Sequence, residues 1–116
     1  MKFINRCVVM LKPRHGFIDW VTGLAGELPE DWSFEGGSYF LDEQETEEAL
    51  LADLKSKAHV IVENECSAWT DDENLWPEER GFGLLSEWFE LHVAVAAFDL
   101  GKKPLIRVDL ADVSFV

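Results

Sequence analysis

Between Arg14 and Lys55 the chain has no lysine or arginine, and between Lys57 and Arg80 it has none again. Into the first gap fall Asp19, Glu27, Glu30, Asp31, Glu35, Asp42, Glu43, Glu45, Glu47, Glu48 and Asp53, and into the second Glu63, Glu65, Asp71, Asp72, Glu73, Glu78 and Glu79. The formal net charge is −13. A surface with that field repels nucleic-acid phosphates and anionic headgroups, so neither nucleic acid nor a membrane is expected as a partner. No apolar run approaches the about 20 residues that cross a bilayer, and the opening Met1-Lys2-Phe3-Ile4-Asn5-Arg6 turns to charge before a secretory core can form, so the expected location is cytoplasmic. Cysteine is nearly absent. Cys7 and Cys66 stand alone, without a Cys-x-x-Cys or Cys/His cluster, which excludes a disulfide framework and a zinc site and leaves two buried thiols. There is no phosphate-cradling glycine loop, no Gly-x-Ser-x-Gly, no internal repeat and no low-complexity linker, so no cofactor is expected.

What is present is a chain of 116 residues, 47% apolar and 28% charged, enough for one domain with one core. Residues 3–11 are rich in apolar and β-branched types and end at Pro13, which reads as a strand. Phe17, Trp20, Val21 and Leu24 follow at helical spacing, and Ser38-Tyr39-Phe40-Leu41 reads as a short second strand after a loop containing Pro29 and Gly36-Gly37. Thr46 or Asp42 can cap a long helix over residues 47–67, with Leu50, Leu51, Leu54, Ala58, Ile61, Val62 and Trp69 on its apolar stripe. Phe82, Leu85, Trp88 and Phe89 mark a third helix over residues 82–89. Residues 91–100 form the strongest strand pattern, with Leu91, Val93, Val95 and Ala97 on one face and Ala94, Ala96 and Phe98 on the other, where their small side chains would admit a helix backbone. Gly101-Lys102-Lys103-Pro104 supplies a turn into an alternating return strand, Leu105 to Asp109.

That order predicts the α+β class: a single domain over residues 1–116, built as a two-layer sandwich. Helices pack on a mixed or mostly antiparallel sheet of about three or four strands, a loosely ferredoxin-like arrangement.

Candidate chemistry is sparse. Glu87, Glu90 and His92 lie together in sequence and suit acid–base work in a cleft between helix and sheet. His59 and Glu63 share a helix face, but two ligands do not complete a metal site. Asp71-Asp72-Glu73 offers carboxylates without the calcium-loop spacing. The aromatic content stands out more: Trp20, Trp32, Trp69, Trp76 and Trp88, four of the five within the basic-free segments. Trp20 and Trp88 sit in helical stripes. Trp32 and Trp76 flank proline-containing loops and are the better candidates for a recognition surface, alongside Asp71, Asp72, Glu73 and Arg80.

Ile4-Asn5-Arg6, Phe17-Ile18-Asp19-Trp20, Leu75-Trp76-Pro77-Glu78-Glu79-Arg80, Glu87-Trp88-Phe89 and Phe98-Asp99-Leu100 together resemble a family of small uncharacterised bacterial cytosolic proteins. That family shares an Ile-Asn-Arg first strand and a Trp-Pro-x-x-Arg segment before a Trp-Phe helix end. The resemblance spans residues 4–100 and implies a bacterial-type fold with no reaction attached. Gly81 stands where such proteins often carry a capping Thr, and Ala94 where they carry a His.

Three functions are expected to compete. The first is an acidic interaction or regulatory module that engages a basic protein, an immunity protein neutralising a toxin being one form. The second is a small enzyme using Glu87, Glu90 or His92, and the third a structural homodimer.

Overall fold

The computed structural model describes residues 1–25 and 36–110. Its elements in chain order are β1 (Lys2–Ile4), β2 (Arg6–Pro13), α1 (His15–Ala25), β3 (Ser38–Asp42), α2 (Glu47–Ser67), a 3-10 turn (Glu73–Leu75), α3 (Phe82–Trp88), β4 (Phe89–Ala94) and β5 (Ala97–Asp99). The class is α+β as the sequence predicts. Every strand pairing is antiparallel, β3-β2-β4 forming one sheet and β1-β5 a second.

Alternation along β2 sets the layers. Cys7, Val9 and Leu11 point inward and are buried, joined across the ladders by Leu41 on β3 and by Phe89 on β4. Against this face lie the helices: α1 brings Phe17 and Val21, α3 brings Leu85 and Trp88, and α2 brings Leu50, Leu54, Ala58, Ile61, Val62 and Cys66. The three-to-four spacing of the α2 residues makes one stripe along a helix about 30 Å long. Thr46 caps it, its hydroxyl accepting from the Ala49 amide at 3.1 Å, while Glu47 and Glu48 occupy the electropositive first turn. Leu51, expected on that stripe, is exposed instead.

The opposite face of the three-stranded sheet carries Arg6, Val8, Met10 and Lys12 from β2, Ser38, Phe40 and Asp42 from β3, and Glu90, His92 and Ala94 from β4. Met10 and Phe40 are half exposed there. The small-residue face of the last long strand therefore looks outward; the helices pack on the face of Leu91 and Val93.

Two long strands predicted as continuous are each divided. Along β2 and β4 the paired residue numbers sum to 102 (Val8 with Ala94), and along β1 and β5 to 101 (Ile4 with Ala97). Three residues, Asn5 to Cys7, thus face two, Val95 and Ala96, which is the signature of a β-bulge. Arg6 and Cys7 stay paired with Asp42 and Leu41 of β3, and the Cys7 thiol donates to the Val95 carbonyl at 3.6 Å. The bulge also reverses the facing of β1, placing Phe3 with Phe98 on the exposed side, edge to face at 5.9 Å.

The predicted return strand over residues 105–109 does not form a hairpin. The Asp99 carboxylate accepts from the Gly101 amide at 2.7 Å and turns the chain, and residues 100–110 then run exposed. Clefts of about 350 and 390 Å³ separate this segment from the body, the first bounded by Ile4, Phe40 and Ile106, the second by Phe3, Asp99 and Lys103.

Candidate functional site

The acidic and tryptophan-bearing signals meet where α2 ends. Its last turn closes through the Trp69 and Thr70 amides, both donating to the Cys66 carbonyl. The Thr70 hydroxyl then accepts from the Asp72 amide at 3.1 Å, and the Asp72 carboxylate accepts from the Asn74 amide at 3.0 Å, starting the 3-10 turn. These are the local side-chain-to-backbone bonds that Thr and Asp favour over helix continuation.

Two indoles fasten the segment to the body. Trp76 donates its ring N–H to the Thr70 carbonyl at 3.0 Å, and Trp20, reaching from α1, donates to the Leu75 carbonyl at 3.1 Å. Trp20 stacks in turn on an aromatic group formed by Phe17, Trp88 and Phe89, with ring separations of 4.6 to 5.8 Å. Arg80 completes the frame. Its Nε donates to the Pro77 carbonyl at 2.8 Å, its Nη1 donates to Glu63 on α2 at 3.1 Å, and its guanidinium lies over the Trp76 ring at 5.2 Å. The guanidinium is thus shared between a carboxylate and a backbone carbonyl.

Trp76 is half-buried and packed on the core, and Asp71, Asp72, Glu73, Glu78 and Glu79 are all exposed around it. No lysine or arginine forms an ion pair with any of these five carboxylates among the described residues. Trp32 lies outside the described residues. The site is therefore an anionic rim held on a fixed aromatic base, with a guanidinium already seated between an indole and a carboxylate.

The acid–base candidates are arranged differently. Glu87 is exposed on α3, while Glu90 and His92 occupy the open sheet face with His92 Nε2 at 3.6 Å from Glu90 Oε1. The clefts along β1 and residues 102–107, and a third of about 330 Å³ between β3 and α2, are lined by other residues. His59 is exposed, and Glu63 is taken by Arg80. Among the described residues no three His, Cys, Asp or Glu side chains gather as metal ligands.

Sequence reasoning passed over the most buried charged side chain among the described residues. Glu65 is 9% exposed on the inner side of α2, accepting from the Gly37 amide at 3.1 Å and from the Tyr39 hydroxyl. Asn64 donates to that hydroxyl at 2.9 Å. Burial, reinforced by the Glu65 carboxylate, raises the Tyr39 phenol above its ordinary range, against a lowering contribution from Asn64. The signal was available, since Glu65 falls on the helical stripe of Ala58, Ile61 and Val62. Its partners join α2 to the start of β3 and so serve the fold.

No protein-family model, curated protein or solved structure matches this chain, so the resemblance carried by its scattered motifs stands on those residues alone.

Proposed function

We propose that the protein is an acidic interaction module whose rim at the end of α2 receives a basic protein. The observation that carries this reading is the set of exposed carboxylates Asp71, Asp72, Glu73, Glu78 and Glu79, none of them in an ion pair with a lysine or arginine among the described residues, on a segment fixed by the indole hydrogen bonds of Trp20 and Trp76. A rim already ordered loses little conformational freedom on binding, so more of the Coulombic attraction remains as affinity. The Arg80 arrangement supports the choice of a cationic side chain, because it displays an arginine held by stacking and by a carboxylate at the same place. The net charge of −13 would draw such a partner from a distance and turn nucleic acid away.

The test is capture of binding proteins on the immobilised chain at low and at high salt, beside a variant carrying D71K, D72K and E79K. Expected is a basic protein retained at low salt, released at high salt and lost with the charge-reversed variant. Retention that ignores both salt and charge reversal would sink the reading.

A further inference from the structure

In a chain whose net charge is −13, five of the ten lysines and arginines line the two clefts along β1, which adjoin and share Ile4, Asn5 and Leu105. Arg6 and Arg107 line the first, and Lys2, Lys102 and Lys103 the second. None of these five cations forms an ion pair among the described residues. No carboxylate lines the first cleft, and Asp99, which lines the second, is engaged by the Gly101 amide. Asp42 stands opposite Arg6 in the β2–β3 ladder, but the two make no ion pair. Half of the positive charge is thus gathered along one groove of an otherwise acidic molecule, where the local field favours an anion.

The walls decide what kind of anion. The first cleft, about 350 Å³ and within the range of small-molecule sites, has Ile4, Phe40, Leu105 and Ile106 in its lining. The β-bulge supplies Asn5 and Arg6 to the same lining, and re-aiming a side chain is a common use of a bulge. Arg6 donates one N–H to the Asn5 carbonyl at 2.8 Å, which steadies its guanidinium and leaves further donors for a ligand. A guanidinium fork matches the two oxygens of a carboxylate. Each further negative charge on a ligand is opposed by the field of the whole chain, so a head with a single charge is the least repelled.

We infer that the first cleft binds an aliphatic carboxylate of medium length. Its chain lies against Ile4, Phe40, Leu105 and Ile106, and its head is held by Arg6 and Arg107. The lysines of the second cleft add to the positive field. None of the rim carboxylates lines either cleft, so this site does not depend on the basic partner.

Octanoate titrated into the intact, isotope-labelled chain at constant ionic strength tests this, with the amide resonances as the readout. Expected are saturable shifts at Ile4, Asn5, Arg6, Ile106 and Arg107, with a dissociation constant of about 1 mM or tighter and residues 71–79 unmoved. R6Q and R107Q are each expected to weaken binding about tenfold, each removing one charge-assisted contact. They lie on separate segments, so a disturbance of the fold by one leaves the other as the test. Three comparators separate the parts of the ligand: acetate keeps the head without the chain, octanol the chain without the charge, and octyl phosphate adds a second charge. Each is expected to bind about tenfold or more weakly than octanoate. Shifts that do not saturate or that spread over the rim, a comparator that matches octanoate, or R6Q and R107Q chains that bind normally would each overturn the proposal.

Discussion

Cys66 sits without exposed surface on the inner side of α2, beside Glu65 and within reach of the Arg80 field. Burial pushes its thiol up to about 11; Arg80 pulls against that rise, and Glu65 and then Glu63 each add to it by less. Thiolate is the reactive form, so the folded chain keeps Cys66 inert at neutral pH. The sign of the stability effect follows. From about 9, where an unfolded thiol ionises, to about 11, the unfolded chain has lost the proton and the folded chain still holds it. Stability contributed by this group is therefore whole below that window and declines as pH rises through it. Labelling with a maleimide at neutral pH is expected to be slow in the native protein and prompt in denaturant. Native labelling as fast as that of the unfolded chain would contradict the placement.

At the scale of elements, the helices were legible because their periodicity is strong. Residues 47–67 were predicted with the bounds that α2 has, since Thr46 announces the start and a four-residue apolar rhythm runs unbroken to Cys66. Replacing Thr46 with Ala removes the hydroxyl that accepts from Ala49 and is expected to cost about 1 kcal/mol, read from urea denaturation. A variant as stable as the parent would place the start of α2 elsewhere. Strand lengths were not legible, because nothing in a period-two pattern marks the place where three residues oppose two. Gly36-Gly37, read as part of a loop, has a more specific task. A side chain at Gly36 would stand 2.5 Å from the Leu11 carbonyl oxygen, and one at Gly37 2.8 Å from the Glu65 carboxylate. The pair lets the chain entering β3 lie against β2 and α2, a long-range demand invisible in local sequence.

For the molecule as a whole, hydrophobic patterning was enough to reach the α+β class, while charge marked out segments rather than contacts. Asp71, Asp72, Glu73 and Arg80 were expected beside Trp76, but the bonds that fix this segment, from Trp20 to Leu75 and from Arg80 to Glu63, join residues far apart in sequence and leave no local signal. Alternation in residues 105–109 predicted a return strand, and among the described residues none is formed there; side-chain alternation alone does not supply the ladder partner a strand requires. The radius of gyration, 15.7 Å, exceeds the about 13 Å of a compact chain of this length.

The bulge at Asn5 to Cys7 has a consequence in time as well as in shape. Three residue pairs hold β1 to β5, whereas β2 is bonded on both sides and roofed by three helices, so opening the first ladder does not require opening the second. In deuterated water the amides of β1 and β5 are expected to exchange orders of magnitude sooner than those of Val9 and Leu11. Uptake in step across both ladders would mean that they open as one. With exchange at two rates, the single extra residue acts as a clock divider, splitting one continuous pair of strands into a fast-breathing end and a slow one.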